Sequence, residues 1–354
     1  MVNLDDLDVY QRLDPANMLA QLHGLPQQCR NAWHKAKDFE LPLDYAGIDK
    51  IVILGMGGSA IAGDLVRSLI SSTGKPIIFV HRDYDLPAFL DETTLVIASS
   101  YSGNTEETLS GFSWALERKC KKLVITTGGK LKALAEAARI PVFIIDHVSQ
   151  PRAALGYSLM PLIAFLRKLD FLEDKPTEIE GMVQSLETLL AGIREMVPTE
   201  SNQAKQLATR LHGRIVVIYS AGMLSEVARR WKTQINEASK AWAFHETFPE
   251  LNHNAVVGYQ FPSELASKIY VVLLRSLSIH PRTLIRYQAT CELLEQSGVG
   301  HEIIDSGGGS ELSQMMSLVF LGDWVSYYLA MLYGIDPTPV KAIDYLKKRL
   351  SDAG

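Results

Sequence analysis

Thr94-Leu95-Val96-Ile97-Ala98-Ser99-Ser100-Tyr101-Ser102-Gly103-Asn104-Thr105-Glu106-Glu107-Thr108 passes from an apolar run, through a turn of hydroxyls, into a helical pattern. The run to Ala98 reads as a buried strand, and Leu109 to Glu117 reads as a helix. Short donors, one glycine and a helix N-terminus between them are the chemistry of a phosphate cradle. The segment has no lysine, so it is not a Walker loop, and it points to a small phosphorylated metabolite. A Ser/Thr-rich N-cap closing an ordinary strand-to-helix loop is the alternative.

Working outward, strands and helices alternate. Ile51 to Leu54 reads as a strand, then the turn Gly55-Met56-Gly57-Gly58-Ser59 and a helix from Ala60 to Ile70. Further strands are expected at Pro76–Val80, Leu95–Ala98, Lys122–Thr126 and Val142–Ile145. That rhythm predicts a doubly wound parallel sheet, whose ligands bind at the carboxyl ends of strands. Residues 14–37 read as one helix and 158–210 as helices bridging two halves. The rhythm then restarts with a strand at Arg214–Tyr219, the turn Ser220-Ala221-Gly222 and a helix from Leu224 to Ile235. A strand at Lys268–Leu274, a helix at Arg282–Gln296, a strand at Glu302–Ile304 and helices at 311–333 and 340–350 complete the pattern. The restart suggests duplication of one α/β unit.

The 354 residues exceed one ordinary core, and two domains are expected. A net charge of −5 without a basic run argues against nucleic acid or an acidic membrane as partner. Cys29, Cys120 and Cys291 lack CxxC spacing and read as reduced thiols of a cytoplasmic protein. Met1 to Tyr10 shows no apolar leader. Ser317 to Ile335 is apolar but interrupted by Asp323, and reads as a buried helix rather than a membrane span.

Four constellations can carry chemistry. Gly55 to Ser59 matches GxGxxG poorly, because Ala60 takes the sixth position and no acid ends the second strand. Its uses are N–H donation to a sugar or phosphate, or tight turn packing alone. Trp231 to Lys240 holds Glu237 at a helix end beside an apolar face, where a carboxylate is either a proton shuttle or merely solvated. Glu250 to Gly258 sets His253 between Asn252 and Asn254, whose amides are placed to fix its tautomer; a structural histidine in a capped loop is the alternative. Arg152, after the fifth strand, is either an oxyanion stabiliser or a helix-start pair for a surface acid. Scattered histidines form no HxH, HExxH or acidic cluster, so no metal is expected.

In order, the Gly-Gly-Ser turn, Ser-Tyr-Ser-Gly-Asn-Thr, Pro151-Arg152-x-Ala-Leu-Gly, Asn236-Glu237-x-x-Lys240, Asn252-His253-Asn254 and a terminal Leu-Lys-Lys helix resemble the bifunctional phosphoglucose/phosphomannose isomerase family of the sugar isomerase (SIS) fold. The resemblance runs over nearly the whole chain. It implies an α/β fold of two SIS-type doubly wound parallel-sheet domains: residues 1–157 with an N-terminal helix, a helical bridge at 158–210, and 211–354 with C-terminal helices. It also implies that Gly58, Ser59, Ser100, Ser102 and Thr105 hold the substrate phosphate and nearby hydroxyls. Glu237 moves a proton between C1 and C2, and Arg152 stabilises a cis-enediolate. His253, given by the partner of a homodimer, and Lys347 open the sugar ring, with Lys348 adjacent to the latter. Thr338 is the candidate that makes room for C2-epimeric substrates. Sugar phosphates are the expected ligands, with no cofactor. A non-catalytic phosphosugar sensor or another SIS phosphosugar isomerase are the competing readings.

Overall fold

The computed structural model describes residues 2–71 and 75–353, so Met1 lies outside it. Three short helices open the chain: α1 (Asp8–Leu13), α2 (Met18–His23) and α3 (Leu25–Asp38). The single helix expected over 14–37 is therefore two. Asp14 lies outside it, where its carboxylate accepts the Met18 and Leu19 N–H groups at 2.8 Å each and starts α2. Gly24 then separates α2 from α3.

The first sheet contains β1 (Lys50–Leu54), β2 (Ile77–His81), β3 (Thr94–Ser100), β4 (Lys121–Thr126) and β5 (Val142–Ile144). Its helices are α4 (Gly57–Leu69), α5 (Glu106–Leu116) and α6 (Gly129–Ala137). The strand order is β2-β1-β3-β4-β5, all parallel. All of β3 is buried, as a strand covered on both faces requires.

Three helices follow: α7 (Leu155–Lys168), α8 (Glu178–Ile193) and α9 (Gln203–Leu211). The second sheet has β6 (Ile215–Ala221), β7 (Ala243–Phe248), β8 (Ile269–Arg275) and β9 (Gly300–Asp305), with α10 (Ser225–Ala238) and α11 (Pro281–Gln296). Its order, β7-β6-β8-β9, is also parallel and repeats the first four positions of the other sheet. Strand β7 is absent from the sequence reading. Ala243-Phe244-His245-Glu246-Thr247-Phe248 is half polar because the strand is an edge, with Phe244 exposed.

Helix α12 (Glu311–Leu332) is apolar all round and buried all round, 94% over its most apolar window. It is the one described helix long and apolar enough to cross a membrane, yet it packs inside the protein against α8, α9 and α10. At its crossing with α10, a Cβ on Gly322 would lie 2.3 Å from the Trp231 indole, so glycine is what allows the approach. Trp231 Nε1 donates to the Leu318 carbonyl at 2.7 Å. The two units meet where α4 packs on α10, with Arg67 bound to Glu226 at 2.6 Å. Helix α13 (Lys341–Asp352) closes the chain with no buried residue.

Candidate active site

The site grows from the first turn of α4. A Cβ on Gly58 would lie 2.8 Å from the Pro151 carbonyl oxygen and 3.2 Å from the Arg152 Cα. The Gly-Gly-Ser turn is thus built for a close approach to Pro151-Arg152, and it sets the arginine beside the N-terminus of α4. Next along, the Ser59 hydroxyl accepts the Tyr101 N–H at 3.2 Å and ties this turn to the end of β3.

There the chain curls into a compact nest. The Ser100 hydroxyl accepts the Gly103 N–H at 3.1 Å and meets the Thr105 hydroxyl at 2.9 Å. The Ser102 hydroxyl accepts the Asn104 N–H at 3.2 Å. Gly103 has φ of 66°, and a Cβ there would collide with the Gly128 carbonyl at 1.8 Å, so only glycine closes this turn. Ser59 and Ser100 are buried, Thr105 is half-buried and Ser102 is exposed. Together with the first turns of α4 and α5, these hydroxyls form a donor-rich cluster suited to an anion, with Glu106 and Glu107 also in the first turn of α5.

The second unit keeps the geometry and loses this chemistry. Leu54 pairs with Ala98, and Tyr219 pairs with Leu273. Gly57 and Gly222, each three residues past Leu54 and Tyr219, both have positive φ (48° and 57°). Counted from those strand positions, Leu224 corresponds to Ser59 and Arg275 to Ser100. Leu224 is buried in the core, and Arg275 is paired with Asp305 at 2.6 Å.

Arg152 sits on the 3-10 turn Pro151–Ala153 and is 4% exposed. Its Nη2 donates to the Pro337 and Thr338 carbonyls at 2.8 and 2.7 Å. That leaves Nη1 facing Glu237, whose Oε2 is 3.7 Å away. Burial lowers the guanidinium below its ordinary value; Glu237 opposes the shift and Arg230 adds to it. An arginine stays charged through such a shift. Glu237 projects from the last turn of α10 with about a quarter of its side chain exposed (26%), so it is open to a ligand on one side.

The end of α10 is locked. Ser239 donates to the Ser326 carbonyl at 2.6 Å, and Asn236 to the Ala241 carbonyl at 2.8 Å. Lys240 adopts the left-handed conformation (φ 53°), and the Ala241 N–H returns to the Ile235 carbonyl at 3.4 Å, closing the helix end. The Lys240 ammonium donates to the Glu237 and Pro337 carbonyls at 2.5 and 3.0 Å. Partial burial of the ammonium first, and the Arg152 charge second, push it down to about 8, although the residue as a whole is exposed. Lys240 and the Pro337-Thr338 carbonyls are parts of the site that the sequence reading did not assign. The Lys240 signal was present in the Asn-Glu-x-x-Lys spacing; carbonyl groups leave none.

Thr338 lies against Arg152, and its hydroxyl is buried with no partner among the described residues. His253 and Lys347 are not brought to this cluster within one chain. His253 is exposed on the turn Glu250–His253 beyond β7. The flanking amides do not hold its ring, contrary to expectation. Asn252 donates to Thr290 at 2.9 Å and accepts from Arg286 at 3.3 Å, while Asn254 donates to Glu250 at 2.9 Å. Lys347 and Lys348 are exposed on α13. Among the described residues, no three His, Cys, Asp or Glu side chains gather as a metal site would require.

Residues 45–157 match the SIS domain family, and 200–350 match the bacterial phospho-glucose isomerase C-terminal SIS domain. The C-terminal domain of glucosamine-fructose-6-phosphate aminotransferase from Francisella tularensis shares the fold, with a TM-score of 0.70 at 17% identity over 91% of this chain and 98% of that one. The fold is therefore that of the SIS proteins.

The chain is 44% identical to a bifunctional phosphoglucose/phosphomannose isomerase of Caldicellulosiruptor bescii over 95% of its length and 99% of the relative's. A protein of the same name from Aquifex aeolicus is 40% identical over 85% and 90% of the two chains. The chain belongs to the bifunctional phosphoglucose/phosphomannose isomerase family, and it is an isomerase.

Proposed function

We propose that this protein interconverts glucose 6-phosphate and mannose 6-phosphate with fructose 6-phosphate through a cis-enediolate. The observation that carries the reading is the Arg152–Glu237 pair. A buried guanidinium lies 3.7 Å from a partly open carboxylate, next to the α4 turn that joins the hydroxyl cradle. Phosphate held by Ser59, Ser100, Ser102, Thr105 and the Gly58 turn supplies binding energy remote from the reacting carbons. Glu237 removes the C2 proton of the open-chain aldose. The electron pair forms the C1–C2 double bond, and negative charge builds on the aldehyde oxygen, where Arg152 stabilises it. Proton transfer between the two enediol oxygens and return of the proton to C1 give the ketose. Return to C2 from either face connects the two aldoses, and Thr338 shapes that choice.

His253 reaches a second subunit's site in this reading, because its own ring faces solvent, and Lys347 assists ring opening. Three free thiols, Cys29, Cys120 and Cys291, are in keeping with a cytoplasmic location. The test is formation of fructose 6-phosphate from each aldose phosphate in excess chelator. Turnover of both is expected; tight binding without turnover of either overturns the reading.

A further inference from the structure

The backbone of Arg152, unlike its guanidinium, is held by a buried charge pair that also bridges α10 and α12. Arg230 on α10 is 1% exposed and Asp323 on α12 is 5% exposed. They form a two-pronged pair: Nε to Oδ1 at 3.1 Å and Nη2 to Oδ2 at 2.9 Å. The same Nη2 donates to the Arg152 carbonyl at 2.6 Å. Trp231 and Gly322, the next residue on α10 and the preceding one on α12, pack so closely that only glycine fits at 322. The pair therefore sits beside a close contact between the two helices. On its other side Arg152 is pressed by the Gly58 turn.

We infer that Arg230 and Asp323 are positioning residues for the reaction: they fix the Arg152 backbone so that its guanidinium meets the Glu237 site in register. A buried ion pair is a weak source of stability, because desolvation offsets much of its attraction. Its retention here is explained by the third contact, which ties α10 and α12 to the arginine. A displacement of about 1 Å in such a group costs about 100-fold in rate.

The test rests on the role proposed above for Arg152, so Arg152→Lys is assayed in parallel. The informative variant is Arg230→Met with Asp323→Leu, since apolar replacement of a buried pair is commonly neutral for stability. Arg230→Lys, which keeps the charge but loses the two-pronged geometry, is the second variant. The readouts are kcat, KM for fructose 6-phosphate, the melting temperature, and affinity for a five-carbon sugar-acid phosphate whose carboxylate mimics the enediolate.

The expected result for both variants is a kcat lower by about 10- to 100-fold, with the mimic weakened by a similar factor and KM changed less than about twofold. Unchanged kcat and mimic affinity in a folded protein, whatever the melting temperature, overturn the inference. If Arg152→Lys is itself fully active, the role of Arg152 fails instead. If only Arg152→Lys is impaired, that role stands and the positioning inference falls.

Discussion

Lys240 shows what a single residue contributes at this site. It occupies a left-handed position that favours glycine, yet its ammonium fastens the Pro337 loop on which Arg152 rests. Its value of about 8 lies below the ordinary 10.5, so between pH 8 and 10.5 the unfolded chain binds more protons at this residue than the folded one. Stability from this group therefore rises with pH across that window. Denaturant unfolding of wild type and Lys240→Met at a series of pH values should show the difference moving toward the wild type as pH climbs from 8 to 10.5. A flat difference contradicts the account. Residues with a proposed chemical role were legible as candidates through their motifs, as Arg152 and Glu237 were, each beside a structural alternative. Asp323 was legible only as an interruption of an apolar stretch. A lone charge in a buried helix requires a counter-ion, but Arg230 lies 93 positions away and no local pattern links the two.

At the scale of elements, the strands of the first sheet were read from their apolar runs, because parallel strands buried on both faces have nearly continuous ones. Edge strand β7 has no such run and was missed. Helix boundaries moved at Asp14, whose carboxylate starts α2, and at Gly24, which separates α2 from α3. The cradle is an element-level device, and Gly103 tests it. Gly103→Ala forces a Cβ into the Gly128 carbonyl at a positive φ, at a cost of about 1–3 kcal/mol in strain and loss of the nest. KM for the sugar phosphates should rise at least tenfold with a lower melting temperature; unaltered KM argues against the cradle as the phosphate site. Gly58→Ala should act differently. Its Cβ meets the Pro151 carbonyl at 2.8 Å and displaces Arg152, so kcat falls more than KM rises. An equal or larger change in KM shows that the added Cβ disturbs the phosphate hold of this turn more than the placement of Arg152.

The whole molecule leaves two expected site residues in solvent. His253 stands on an exposed turn, and α13 carries Lys347 together with exposed Ile343, Leu346 and Leu350. An exposed apolar stripe beside Lys347, an expected site residue, fits an assembly in which subunits complete one another's sites. If His253 acts across subunits, mixing inactive Glu237→Gln and His253→Gln chains creates heterodimers with one intact site. After random exchange, activity should return to about a quarter of wild type, as two-fold symmetry dictates; no recovery places His253 in the site of its own chain or outside it. No sequence pattern in one chain reveals what a second copy covers, which is why the ring-opening roles of His253 and Lys347 were reached by resemblance alone. The central claim is that Glu237 carries the proton, and isotope exchange tests it most directly. With glucose 6-phosphate labelled by deuterium at C2, the wild type should release label to water as it forms fructose 6-phosphate. Glu237→Gln should slow that release by about 100- to 10,000-fold while still binding fructose 6-phosphate. Release from Glu237→Gln at the wild-type rate would contradict the account.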